Sequence, residues 1–226
     1  MMRIGIIGYG NLGKRVESAL TSKSDMELAA IFTRGDITEM RPKSYHVPLR
    51  PLEDAFEMED SVDVMINCCS SAADLPETMP RFAERFHLID SYDACASHAG
   101  YFEKVDQAAR RGNKLSIISA GSDPGLYSVA MPNFFSDDEA IVHLISQEQI
   151  SSDLRGLPRG GFMIHRGNAG WSGMNKQTIE YSLKLSSNPE FMAGVLISTA
   201  RAAYRLGNRG ETGCRTVFNL VPAACL

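Results

Sequence analysis

The stretch RIGIIGYGNLGKRVESAL, residues 3–20, constrains the chain more than any other. The run RIGII is apolar almost throughout, which is the pattern of a strand buried on both faces. Leu12, Val16 and Leu20 then recur at helical spacing. Between strand and helix stand Gly8, Gly10 and Gly13 as G-x-G-x-x-G. Gly8 allows the tight turn, Gly10 lets a pyrophosphate approach the backbone, and Gly13 lets the helix pack on the strand. The helix N-terminus then faces the phosphate charge. The motif alone could be a plain strand–helix turn, but its context on both sides is that of a dinucleotide site.

The alternation continues through the first half. MELAAIF (26–32), SVDVMINC (61–68), HLID (87–90) and KLSIIS (114–119) read as further strands. LPETMPRFAERF and GYFEKVDQAARRG read as the helices between them. Strands alternating with helices predict a parallel sheet covered on both faces. Beyond residue 126 the pattern changes. AIVHLIS (140–146), GFMIHR (161–166) and KQTIEYSLKLS (176–186) read as antiparallel strands, the last with Ile179, Tyr181, Leu183 and Leu185 alternating with polar residues. A long helix follows in SNPEFMAGVLISTARAAYRLG, with Asn188 as cap, Pro189 in the first turn and Gly207 just past the end. The expected architecture is α/β: a Rossmann-type dinucleotide-binding domain over 1–125, which the closing segment 188–226 could complete by packing back on it, and a smaller α+β domain over 126–187.

Composition sets the outer limits. The 226 residues are 44% hydrophobic and 22% charged, with a net charge of −4. This is the composition of a globular protein, without the basic face that nucleic acid or anionic membrane would call for. No run reaches the length of a membrane span, and the N-terminal apolar run is too short for an export signal. Cys68, Cys69, Cys95, Cys214 and Cys225 form no C-x-x-C pair, and the odd count argues against a disulfide framework or zinc site. A reducing, cytoplasmic setting is expected. The five histidines show no metal spacing, and His87 reads as a packed strand residue.

Several residues fall where a cofactor site would need them. The second strand ends in IFTRGD, where NAD sites carry an Asp or Glu for the ribose 2′-OH. Thr33 and Arg34 stand there instead, a hydroxyl and a guanidinium suited to a 2′-phosphate, so NADP is the expected cofactor. Arg34 could also be a solvated loop residue, and Asp36 lies close by. Cys68, Cys69, Ser70 and Ser71 follow the third strand and could line the ribose and nicotinamide, or form an ordinary loop with Asp74 as cap. Asp93 and Asp123 each lie just past a strand end. Two carboxylates there could receive an ammonium group or move protons, and either could equally be a turn residue.

Beyond these patterns, the chain resembles the meso-diaminopimelate dehydrogenase family. The resemblance is carried by IGIIGYGNLGKRVESAL, MELAAIFTR, DLPETMPRFA, IDSYDACASH and ISAGSDPGLYS, and further by LPRGGFMIHRG, TIEYSLKLSSNPEF and ARAAYRL. It implies a homodimeric NADPH-dependent oxidoreductase of lysine biosynthesis. Such an enzyme deaminates the D-centre of meso-2,6-diaminopimelate to L-2-amino-6-oxopimelate. It also implies roles. Gly8, Gly10, Asn11, Leu12 and Gly13 would hold the pyrophosphate, and Thr33 and Arg34 the 2′-phosphate. Cys68, Cys69, Ser71 and Tyr92 would lie along the nicotinamide riboside. Asp93 and Asp123 would serve the reacting centre, with Gly125, Arg159 and Asn188 as further substrate contacts.

The sequence also departs from the family pattern. Gly35 replaces a second Arg beside Arg34, Ser122 a Trp, and Arg159 a His. The largest departure is at Ala130–Met131, where the family carries a long segment with part of the substrate domain. The junction is either a true deletion or a stretch omitted from the written sequence. Three readings follow: the family's dehydrogenase, a non-catalytic NADP-binding protein or scaffold, or a dehydrogenase of another D-amino acid.

Overall fold

The computed structural model describes residues 1–69, 75–91, 100–120, 159–169, 174–220 and 222–225. The strands are β1 (Met2–Ile7), β2 (Met26–Thr33), β3 (Leu49–Pro51), β4 (Val64–Asn67), β5 (His87–Asp90), β6 (Leu115–Ile118), β7 (Arg159–Ala169), β8 (Asn175–Leu185) and β9 (Gly213–Thr216). The helices used below are α1 (Asn11–Leu20), α2 (Leu75–Arg85), α3 (Tyr101–Arg111) and α4 (Asn188–Gly207). The chain divides into two compact units, Met1–Leu126 with Pro189–Leu226, and Tyr127–Asn188.

In the first unit seven strands lie in the order β3-β2-β1-β4-β5-β6-β9, and every neighbouring pair is parallel. Alternate residues of each strand feed opposite faces. Met2, Ile4 and Ile6 of β1, with Val64 and Ile66 of β4, join a core with Val16 and Leu20 of α1. Ile7, Met65 and Leu88 join the other core, with Met79 and Phe82 of α2 and Val105 and Ala108 of α3. This is the doubly wound α/β arrangement that the strand–helix alternation predicts. Both faces being covered explains why the strands read as continuous apolar runs.

The C-terminal segment completes this unit. Ala193, Leu196, Ile197, Ala200 and Ala203 of α4 are buried in the same core as Ile4, Ile6 and Val16. Three of these five side chains are alanines, and Leu196 and Ile197 supply the bulk that fills the core. Arg201 adds an ion pair to Asp25 at 2.7 Å, just before β2. Such a pair contributes at most about 1 kcal/mol when one partner is half exposed, so apolar burial dominates the docking. The chain then adds β9 beside β6, Ser116 facing Cys214 and Ile118 facing Thr216.

Five short elements lie beyond the sequence reading: β3, the 3-10 helix Leu52–Ser61, β9, the 3-10 helix Val217–Asn219 and the one-turn helix Pro222–Cys225. They are too short or too polar to show a period, and β3 and β9 form by pairing with β2 and β6. Gly207, expected just past the last turn, is the final residue of α4. The second unit contains an antiparallel pair, β7 with β8, in register from Arg159 opposite Leu185 to Ala169 opposite Asn175. The predicted strand 140–146 and the Ala130–Met131 junction lie outside the described residues.

His87 shows how an edge polar residue is absorbed. Its Nδ1 accepts the Leu115 N–H at 2.9 Å, tying β5 to β6. A Cβ on Gly207 would sit only 2.2 Å from the imidazole, so α4 ends against the ring at the one residue type that fits. Burial, helped by the nearby Lys114, pushes the His87 pKa below its ordinary value. The unfolded chain therefore takes up the proton first as pH falls. Stability should be full above about pH 6.5 and decline below it until the folded His87 also titrates. Urea unfolding across that range should show the loss, and His87→Asn, which keeps an acceptor without a titration, should flatten it.

Candidate functional site: the C-terminal ends of β1 and β4

Strand β1 pairs with β2 on one side and β4 on the other, so the chain leaves it in opposite directions after its first and third crossings. The crevice this opens at the carboxyl ends of the strands is where open α/β sheets bind ligands. Three backbone bonds close its floor. Gly8 N–H donates to Phe32 O at 2.7 Å, Cys68 N–H to Ile7 O at 2.8 Å, and Ala120 N–H to Asp90 O at 3.0 Å.

The glycine turn is built as its sequence requires. Gly8 has φ +88°, a conformation L side chains rarely adopt. A Cβ on Gly13 would lie 2.1 Å from the Gly8 carbonyl oxygen, so the turn and the helix approach too closely for any other residue. Around Gly10 nothing lies within 4 Å of a Cβ position, which leaves open space at the start of α1. The first turn of α1 carries no acidic side chain, so nothing there opposes an anion drawn to the positive end of the helix dipole. A close contact, an open cradle and an unopposed helix end together fit a dinucleotide pyrophosphate. Asn11 and Leu12 are the first two residues of that helix.

Thr33 is the last residue of β2 and is buried, its Oγ1 accepting the Gly35 N–H at 3.0 Å. Arg34 reaches across to α2, donating to Thr78 Oγ1 at 2.9 Å. Asp36 is occupied in its own turn, accepting from the Thr38 N–H and hydroxyl at 2.8 and 2.7 Å. A hydroxyl and a guanidinium thus stand where a carboxylate would serve an unphosphorylated ribose.

Cys68 is buried in the core on the α1 face. Cys69 is turned toward the glycine turn, its Sγ lying 2.6 Å from where a Gly8 Cβ would be. Burial pushes both thiols above their ordinary range. At Cys69 the Arg34 charge opposes this shift and Asp90 adds to it. Neither is therefore a ready thiolate, which argues for packing rather than nucleophilic work.

Two further residues escaped the sequence reading. Asn67 ends β4 and Asp90 ends β5, opposite each other in register and both fully buried. Asn67 Nδ2 donates to Asp90 Oδ1 at 3.0 Å, and Tyr101 Oη donates to Asp90 Oδ2 at 2.5 Å. Asn67 Oδ1 in turn accepts the Cys69 N–H at 3.1 Å. A polar residue closing each of two adjacent apolar strands was the available signal. Arg159 opens β7 and Asn188 opens α4. Ser71, Tyr92, Asp93, Asp123 and Gly125 lie outside the described residues.

Comparison with known proteins bears directly on this geometry. The diaminopimelic acid dehydrogenase C-terminal domain matches residues 121–187. The meso-diaminopimelate D-dehydrogenase of Acetivibrio thermocellus is 32% identical, over 98% of this chain and 93% of that protein. That of Lysinibacillus sphaericus is 33% identical, over 97% of this chain and 94% of its own. The first alignment spans 311 positions against 226 residues here, so at least 85 positions (311 less 226) have no counterpart in this chain. Among solved structures, a variant of the Clostridium tetani meso-diaminopimelate dehydrogenase with DAP superimposes with a TM-score of 0.80. It is 28% identical and covers 100% of this chain and 96% of that one. An engineered D-amino acid dehydrogenase bound to NADP+ shares the fold at a TM-score of 0.80 and 24% identity, over 100% of this chain and 96% of that one. With this likeness running from the glycine turn through the C-terminal strand and helix, the chain belongs to the meso-diaminopimelate D-dehydrogenase family.

Proposed function

We propose that this chain is an NADP-dependent oxidoreductase that oxidatively deaminates meso-2,6-diaminopimelate to L-2-amino-6-oxopimelate, a step of lysine biosynthesis. The carrying observation is the glycine turn followed by Thr33 and Arg34, in a chain similar over nearly its whole length to enzymes named for that substrate. Gly8, Gly10, Asn11, Leu12 and Gly13 would hold the pyrophosphate, and Thr33 and Arg34 the 2′-phosphate. Cys68, Cys69, Ser71 and Tyr92 would border the nicotinamide riboside. When bound, the nicotinamide supplies the hydride acceptor for the substrate α-carbon.

The protein's own task is then orientation and charge placement. Asp93 and Asp123 would engage the substrate ammonium and hold the proton and water needed to release ammonia and leave a carbonyl. Gly125, Arg159 and Asn188 would position the substrate, with Arg159 suited to a carboxylate. The domain division follows the same logic: 1–125 with 188–226 for the cofactor, 126–187 for substrate and dimer contacts. A homodimer in the cytoplasm belongs to this proposal. Among the described residues no helix is long and apolar enough to cross a membrane.

The purified chain should form NADPH from NADP+ only when meso-diaminopimelate is present. A second reading is favoured by the gap of at least 85 positions relative to the A. thermocellus enzyme. If that gap has removed essential substrate contacts, the chain would bind NADPH in calorimetry and turn over neither diaminopimelate nor a panel of other D-amino acids. Arg34→Ser should raise KM for NADP+ by roughly 10- to 100-fold, the worth of a hydrogen bond to a charged group, and leave KM for NAD+ little changed. Asp93→Asn and Asp123→Asn should each lower kcat/KM by about 10²- to 10⁴-fold while NADPH affinity, read by fluorescence titration, holds.

A further inference from the structure

Glu17 is a fully buried carboxylate to which the chemistry above gives no task. It lies on the inward side of α1, and its two oxygens are used separately. Oε2 accepts the Tyr9 hydroxyl at 2.5 Å, and Oε1 accepts the backbone N–H of Ser44 at 2.7 Å. Tyr9 is the residue between Gly8 and Gly10. It is itself buried, with the Lys14 ammonium 5.7 Å from its ring centroid. Ser44 lies in the connection from β2 to β3, the same connection that Arg34 begins.

Taking a carboxylate out of water is costly, and only well-placed partners compensate it. An apolar residue could fill this position on α1 without that cost. What it could not do is hold two backbone stretches by directed bonds. The need for such a hold is greatest here. The turn from Gly8 to Gly13 contains three glycines, the residues with the most conformational freedom to lose on ordering. Tyr9 is the one large side chain within the turn, and so the lever through which it can be anchored.

We propose that Glu17 is a positioning residue for the cofactor. With one oxygen on Tyr9 and the other on the Ser44 amide, it braces the glycine turn and the β2–β3 connection against each other before the ligand arrives. The two stretches are those assigned to the pyrophosphate and the 2′-phosphate, so the inference rests on the NADP reading above. Ordering paid in the free protein is not charged again on binding, and this appears as affinity.

The test uses the full chain without cofactor, then with NADPH and NADH. Tyr9→Phe keeps the ring and removes the hydroxyl, and with it both the bond to Glu17 and the one accepted from the Lys43 backbone N–H. It should weaken both cofactors by about 3- to 10-fold in fluorescence titration. In the cofactor-free protein it should speed amide hydrogen exchange across residues 8–13. Glu17→Leu frees both stretches and should weaken NADPH more than NADH. Glu17→Gln, whose amide can still accept from Ser44 and donate to the Tyr9 oxygen, should recover binding to within about twofold of wild type. Wild-type affinity and exchange in a folded Tyr9→Phe chain would overturn the assignment on their own, whether or not the leucine variant folds. If the wild-type chain itself binds no NADPH, the cofactor reading falls, and this one with it.

Discussion

Strand β1 is hydrogen-bonded in parallel to β2 and to β4, and the rest of the first unit hangs on that double pairing. A parallel neighbour must be reached by a crossover, so helices are forced onto the sheet, and building outward on both sides of β1 puts them on both faces. Once both faces are covered, the only exposed edges of the central strands are their ends. The carboxyl ends of β1 and β4 are where the two crossover directions diverge, and the crevice follows from topology before any side chain is considered. The glycine turn, Asn67 and Cys69 converge there because each lies at or just past the end of one of these strands.

The crevice is stiffened by polar groups that chemistry does not consume. Asp90 holds Tyr101 and Asn67, and Asn67 holds the Cys69 amide, whose thiol packs on the glycine turn. Glu17 does the same from the opposite face through Tyr9 and Ser44. Buried networks of this kind are worth having when fully satisfied, because each bond fixes direction as well as distance. The strands supply the place, and these two carboxylates, Asp90 and Glu17, supply the precision.

The membership of this chain in the dehydrogenase family sits beside a real difference in length. The fold superimposes at a TM-score of 0.80, while the A. thermocellus alignment runs at least 85 positions beyond what this chain contains. In the dinucleotide unit, α4 and β9 return from the far end of the sequence to finish its core and its sheet.

Much of this was legible in the amino-acid sequence. The continuous apolar strands, the helix spacing of Val16 and Leu20, and the G-x-G-x-x-G determined a parallel sheet with a dinucleotide turn, because those patterns are local and periodic. Thr33 and Arg34 were legible for the same reason, lying at a set place after the turn. What only tertiary structure decided were the long-range pairings: α4 closing one face, β9 extending the sheet beside β6, His87 seated under Leu115 and Gly207, and Glu17 joined to Tyr9 and Ser44. The helical pattern of α4 does not name the face it covers, His87 and Glu17 carry no period, and β9 is only Gly213–Thr216. A four-residue strand or a buried glutamate acquires its role from a partner distant in the chain, and no local pattern can announce a partner that only folding brings near.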